Sequence, residues 1–199
     1  MFSAANRQLF FMGKRNFTAY ILAGGKSHRM GSDKLFLKLG SQSMLEHAIA
    51  ACDECFKQVK LVAGKRSRFL ALNHNVVLDS PKAQGPMAGV IAALEDCETD
   101  ICFVTAADLP DLTAEIIRSL VSHYRDQQYL GLIEKNGLQP LCGIYHKSSL
   151  DVFYHCAQND KFCMAEALKS LDHSGIALPA GRWRNINCPE DLVVGDPND

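Results

Sequence analysis

The sequence has no surplus of charge of either sign: 21 lysines and arginines face 22 aspartates and glutamates in 199 residues. That balance argues against bulk nucleic acid or an anionic membrane as partner, because either calls for a strong basic excess. It leaves room for a small local basic cluster. Long hydrophobic runs are also missing. A spanning helix needs roughly 20 consecutive apolar residues, and no run here approaches that length; Val59 to Ala63, for one, is strand-sized and contains a lysine. The N-terminus lacks the marks of a secretory leader, since basic residues follow the apolar patch at Leu9 to Met12 and no small-residue cleavage site does. Residues 1–16 read instead as an extension ahead of the first strand.

A disulfide framework is absent too. Cys52, Cys55, Cys97, Cys102, Cys142, Cys156, Cys163 and Cys188 are scattered without a repeating spacing, which suits a reducing cytoplasm. Cys52 and Cys55 form a CxxC, but no second pair stands at metal-ligand distance along the chain. The surrounding residues, Met44 to Phe56, have helical periodicity. Thiols three apart then share one face as small packing residues.

What is present is the composition of an ordinary globular chain, 47% hydrophobic and 22% charged, long enough for one large core. We expect a single domain over 17–194, with 195–199 as a tail. Thr18 to Leu22 reads as a buried strand entering a glycine turn. Ser43 caps an amphipathic helix reaching Phe56. Strands follow at Val59 to Ala63, Val76 to Leu78 and Ile101 to Thr105. Helices are expected at Arg66 to Leu72, at Met87 to Asp96 after Gly85-Pro86, and from a Thr113 cap to about His123. Tyr129 to Glu134 and Pro140 to Tyr145 flank a Lys-Asn-Gly turn, the signal of an antiparallel hairpin. Helices near Ser148 to Ala157 and Cys163 to Leu171, a strand at Trp183 to Asn187 and a helix opened by Pro189 complete the pattern. Strands joined by helix-length connections pair in parallel with right-handed crossovers. The fold class is therefore α/β: a three-layer α/β/α sandwich with a mostly parallel sheet and one antiparallel hairpin. Ligands of such folds bind at the carboxyl ends of the strands.

The turn after the first strand reads Leu22-Ala23-Gly24-Gly25-Lys26-Ser27-His28-Arg29-Met30-Gly31-Ser32-Asp33-Lys34. Paired glycines let backbone N–H groups approach an anion, and Lys26, Arg29 and Lys34 supply charge-assisted contacts to phosphate. The pattern is neither GxGxxG nor GxxxxGK[ST], so the dinucleotide fold and the P-loop NTPases lose support. The strand Ile101 to Thr105 leads into Ala106-Ala107-Asp108-Leu109-Pro110. A carboxylate at such a strand end suits a hard cation held against phosphate oxygens. Capping the next helix would be a duller job for Asp108, but Asp111 or Thr113 is better placed for it. A third strand end carries Asp79-Ser80 and then Gly85-Pro86-Met87-Ala88-Gly89.

These blocks, with Gly137-Leu138-Gln139-Pro140-Leu141 and the closing Asn185-Ile186-Asn187-Cys188-Pro189-Glu190-Asp191-Leu192, resemble in their order the molybdenum cofactor guanylyltransferase family, of the molybdopterin-guanine dinucleotide biosynthesis protein A type. The resemblance runs from residue 18 to about 193. Gly24-Gly25 matches the LAGG of the family's guanylyltransferases rather than the LAAG of related cytidylyltransferases. It implies a nucleotide-diphospho-sugar transferase-like fold and transfer of GMP from GTP to the phosphate of molybdenum-bound molybdopterin, with release of pyrophosphate and dependence on Mg²⁺. It further implies that Leu22, Ala23, Gly24 and Gly25 receive the nucleotide, that Lys26 and Arg29 hold the β- and γ-phosphates, and that Lys34 sits near the α-phosphate. Asp79 and Gly85 with its neighbours would serve guanine and ribose. Asp108 would bind Mg²⁺, with Asn187 either assisting or capping the helix that starts at Pro189. The implied partners are GTP, molybdopterin and molybdoenzyme-maturation proteins, with neither nucleic acid nor membrane among them.

Family members often carry an asparagine where this chain has Val62-Ala63-Gly64, so base recognition at that corner must differ. Lys57, Lys60, Lys65, Arg66 and Arg68 read as a solvated face. Two other readings stay open: a nucleotidyltransferase with a different base or acceptor (CTP with molybdopterin, or a sugar or polyol phosphate), and a non-catalytic nucleotide-binding module for cofactor delivery.

Overall fold

The computed structural model describes residues 14–24, 35, 38–39, 42–65, 69, 71–135 and 137–178. The elements expected at Trp183 to Asn187 and after Pro189 lie outside those residues, as does most of the segment at Arg66 to Leu72. In chain order the elements are β1 (Ala19–Leu22), β2 (Lys38–Leu39), β3 (Gln42–Ser43), α1 (Met44–Cys55), β4 (Val59–Ala63), β5 (Asn75–Leu78) and α2 (Gly85–Asp96). They continue with β6 (Ile101–Ala106), α3 (Ala114–His123), β7 (Tyr129–Glu134), β8 (Gly137–His146), α4 (Leu150–Gln158), α5 (Met164–Leu168) and β9 (His173–Ala177). A single 3₁₀ turn, Lys147–Ser149, precedes α4.

Seven strands form one sheet in the order β5-β4-β1-β6-β8-β7-β9. β1 pairs in parallel with β4 and β6, and β4 with β5. Only β8 runs against its neighbours, antiparallel to both β6 and β7, while β7 and β9 are parallel. Alternation along the central strands sorts their side chains onto two faces. Ala19 and Ile21 join Leu61, Phe103 and the inner faces of α1 and α3, and Tyr20 and Leu22 join Val62, Val104, α2, α4 and α5. The result is three layers with a core on each side of the sheet. All four residues of β1 are buried, as a strand covered on both faces requires.

Helix ends follow the local chemistry. Ser43 closes a capping box on α1: its Oγ accepts from Glu46 N at 3.2 Å, and Glu46 Oε2 accepts from Ser43 N at 2.7 Å. Cys52 and Cys55 are both buried in α1, and the Cys55 thiol donates to Ala114 O at 3.5 Å, tying α1 to α3. Met87 through Leu94 of α2 are buried without interruption, which marks a helix enclosed nearly all round. Its C-terminal Asp96 accepts from Tyr20 of β1 at 2.8 Å and from Lys60 of β4 at 2.7 Å, so α2 is pinned across both strands. Lys60, read from the sequence as part of a solvated face, is thus paired and mostly covered.

Three features differ from expectation. Gly85 to Gly89 forms the first turn of α2 rather than a loop, because Pro86 sits in the first turn, where its missing N–H costs nothing. β8 starts at Gly137, ahead of Pro140; the proline is absorbed in a bulge. β9 and the short β2–β3 pair were not expected. Among the described residues no helix is long and apolar enough to cross a membrane.

Candidate functional site

The strand order reverses between β1 and β6, since the chain builds outward to β4 and β5 on one side and returns through α2 to β6 on the other. A crevice at such a switch point is where open α/β sheets take ligands. Two backbone bonds set the level of the loops that leave it: Ala23 N donates to Val62 O at 2.8 Å, and Ala107 N donates to Leu22 O at 3.1 Å. Leu22, Ala23 and Gly24 therefore leave β1 directly between the ends of β4 and β6. Asp108 follows one residue after Ala107, half-exposed between the buried side chains of Ala107 and Leu109. The helix beyond it is capped by Thr113, whose Oγ1 accepts from Ile116 N at 3.3 Å. Capping does not explain Asp108.

At the β5 end, Asp79 N donates to Ala63 O at 3.2 Å, and Ser80 N to Ala88 O at 3.1 Å. These bonds swing the Asp79 carboxylate over the ends of β1 and β4. Three glycines surround it: a Cβ would fall 3.3 Å from Oδ2 at Gly24, 3.5 Å from Oδ2 at Gly64 and 3.5 Å from Oδ1 at Gly89. Half-burial raises the carboxyl's pKa above the ordinary value, desolvation being the cause. The glycines thus bring three backbones close to an acceptor group held partly out of water. Sequence reading singled out Gly24, Asp79 and the Gly85 to Gly89 segment but missed the part played by Gly64. The only signal for Gly64 was a glycine directly after the strand Val59 to Ala63.

Of the expected site residues, the structure brings together Leu22, Ala23, Gly24, Asp79 and Asp108, and places Gly85 at the start of the helix that carries Gly89. Gly25, Lys26, Arg29, Lys34 and Asn187 lie outside the described residues. Gly85 and Gly89 act differently. Gly85 has φ of +60° with nothing within 4 Å of a Cβ, so Gly85→Ala is expected to cost about 1–2 kcal/mol through conformation alone. At Gly89 a Cβ would lie 2.9 Å from Leu22 Cδ2. Gly89→Val is expected to lower stability by about 1–3 kcal/mol through crowding and to weaken nucleotide binding with it. Thermal melts and nucleotide titration of the two variants check this: only Gly89→Val should lose affinity by displacing Leu22 and Asp79.

The profile of the MobA-like NTP transferase domain matches residues 19–174. A relative from Carboxydothermus hydrogenoformans, named "probable molybdenum cofactor guanylyltransferase", is 40% identical over 134 residues, 67% of this chain and 68% of its own. One of the same name from Aquifex aeolicus is 30% identical over 178 residues, 88% of each chain. Among solved structures, molybdopterin-guanine dinucleotide biosynthesis protein A from Archaeoglobus fulgidus superposes with a TM-score of 0.74 at 21% identity, over 88% of this chain and 94% of its own. A Mycobacterium tuberculosis protein solved as a manganese complex gives 0.66 at 15% identity, over 87% and 94%. The chain belongs to the MobA-like NTP transferase family, and is a nucleotidyltransferase built on that family's mixed α/β sheet.

Proposed function

We propose that the chain transfers GMP from GTP to the phosphate of molybdenum-bound molybdopterin, forming the guanine dinucleotide and releasing pyrophosphate. The observation that carries this reading is the Asp79 carboxylate set among Gly24, Gly64 and Gly89. Guanine presents two adjacent donors, N1–H and the 2-amino group, which match the two oxygens of one carboxylate. Cytosine offers an acceptor beside its amino group, and adenine likewise, so each leaves one oxygen of Asp79 facing a lone pair. The relatives are named as guanylyltransferases, after the same nucleotide.

The acceptor is a phosphate monoester, largely dianionic at neutral pH because its second pKa is about 6. It needs no strong general base. The protein's task is to bring two anions into line and to neutralise charge on the departing pyrophosphate. Lys26, Arg29 and Lys34 of the glycine turn supply that charge in this reading, while Leu22, Ala23, Gly24 and Gly25 let the backbone approach the nucleotide.

Asp108 offers hard oxygen donors at a strand end, the chemistry Mg²⁺ prefers. Among the described residues no three acidic, histidine or cysteine side chains converge, so the cation would take further ligands from phosphates and water, as Mg²⁺ commonly does. Asn187 would serve as a second protein ligand in this reading, unless it caps the helix that starts at Pro189. Bound Mg²⁺ would supply charge neutralisation on the phosphates. The structural neighbour solved with manganese supports a divalent ion in this fold. The free thiols of the described residues suit a reducing cytoplasm, from which the product would pass to molybdoenzyme-maturation proteins.

Pyrophosphate release measured with molybdopterin, Mg²⁺ and each of GTP, CTP, ATP and UTP tests the reading. GTP should lead by on the order of 100-fold. Preference for CTP would sink the guanine assignment, and GTP binding without release would point to a non-catalytic cofactor-delivery module.

A further inference from the structure

The hairpin of β7 and β8 contains a built irregularity on the far side of Asp108 from Asp79. Tyr129 pairs with Tyr145 and Gly131 with Gly143, but the next residue of β7, Leu132, pairs with Gln139. Pro140, Leu141 and Cys142 therefore have no partner on β7. On its other side β8 keeps regular register with β6 as far as Cys142 opposite Thr105. The two strands are antiparallel, so the residues preceding Cys142 run on past the end of β6, where Ala107 and Asp108 begin. The bulge stands beside that turn.

Side chains of the hairpin hold its backbone. The Tyr129 hydroxyl donates to Gln139 O, and the Tyr145 hydroxyl donates to Pro140 O at 2.6 Å, five residues back along its own strand. Gln139 Oε1 accepts from Leu141 N at 3.1 Å, and its Nε2 donates to Glu134 Oε1 at 2.7 Å. The two tyrosine rings are fully buried, with centroids 4.5 Å apart. The Tyr129 ring leans over the glycine pair: a Cβ at Gly143 would lie 2.7 Å from Tyr129 Cε2, and one at Gly131 would overlap the same ring. Two glycines, two hydroxyls and one proline are thus spent on holding a short segment at one height. Burial is the largest cause pushing both phenols upward in pKa, so they remain neutral donors near neutral pH.

We propose that Tyr129 and Tyr145 are positioning residues whose hydroxyls fix the Gln139–Leu141 bulge as the wall that aligns the acceptor beside Asp108. The inference rests on the transferase reading above. With the nucleotide over Gly24 and Asp79, an acceptor phosphate that attacks in line must enter from the opposite side of Asp108, the side this bulge borders. Partly exposed Pro140 and Leu141 present its outer surface.

The test uses the full chain with Tyr129→Phe, Tyr145→Phe and, as a variant that leaves both buried hydroxyls in place, Pro140→Gly. Three quantities are measured: kinetics with molybdopterin varied at saturating Mg-GTP, direct titration of Mg-GTP, and hydrogen exchange at the Leu141 amide. The expected result is faster exchange at Leu141, a KM for molybdopterin raised about tenfold, and GTP affinity within about twofold of the parent. An unchanged molybdopterin KM despite faster exchange would overturn the proposal. So would a parallel fall in GTP affinity, which would mark the tyrosines as general structural supports. If the two tyrosine variants do not fold, Pro140→Gly alone decides by the same criteria. Absence of transfer by the unmodified chain would overturn the transferase reading instead, a result distinct from either.

Discussion

Asp108→Ala is expected to lower GMP transfer by at least about a thousandfold, the scale reached when a group stabilising transferred charge is deleted. The fold should be spared. Asp108 is half-exposed at the end of β6, the cap of α3 belongs to Thr113, and the flanking Ala107 and Leu109 supply the buried volume. A part-buried polar side chain outside the core typically costs about 1 kcal/mol when truncated, so the melting temperature should fall by no more than about 4 °C. Steady-state kinetics over a Mg²⁺ series, with a thermal melt beside it, separate the two effects. Near-normal turnover at ordinary Mg²⁺ would refute the metal role. A collapse of the melting temperature would place Asp108 among the structural residues.

Asp79→Asn should likewise separate function from stability. The amide presents one donor and one acceptor, so guanine's two donors can no longer both be met, and kcat/KM for GTP should fall on the order of 100-fold. Discrimination between GTP and the other nucleotides should shrink by a similar factor. Stability without nucleotide should hold or rise at neutral pH, because a half-desolvated charge is removed. The pH dependence carries the same sign. Asp79 has a folded pKa raised by burial, so between the ordinary carboxyl value of about 3.9 and that raised value the folded chain holds more protons than the unfolded one. Its contribution to stability is therefore lost as pH rises through this window. Denaturation of the nucleotide-free protein across acid pH should show this fall in the parent and lose it in Asp79→Asn. Retained GTP preference in the variant would mean that the base is read elsewhere.

The extent to which the sequence disclosed this arrangement varied with the physics of each element. α1 was legible to its first residue because Ser43 and Glu46 form a capping box, a signal confined to four positions. β1 and β6 stood out as buried runs ending in turns that carry glycines or an acid, and those turns make the switch-point crevice. β9, with the sequence His-Ser-Gly-Ile-Ala, has neither a hydrophobic run nor a clear alternation; its pairing with β7 makes it a strand. The bulge in β8 was hidden because a hairpin signal fixes the turn, not the register further along. Pro140 was its one local mark. The glycine ring around Asp79 could not be read from spacing, since Gly24, Gly64 and Gly89 meet only once β1, β4 and α2 are packed. In the proposed reading, the charges at Lys26, Arg29 and Lys34 would let a chain with balanced totals serve a nucleotide: neutrality argues against a polymer of anions, not against a pocket for three phosphates.

The central assignment is a transfer of the nucleotide's α-phosphorus, and GTP labelled there tests it most directly. Incubated with the full chain, Mg²⁺ and molybdopterin, the α-label should move into a molybdopterin dinucleotide, while GTP labelled at the γ-position should deliver its label to pyrophosphate. Release of the γ-label as inorganic phosphate, with the α-label left in GDP, would contradict the assignment and make the chain a hydrolase of the nucleotide instead.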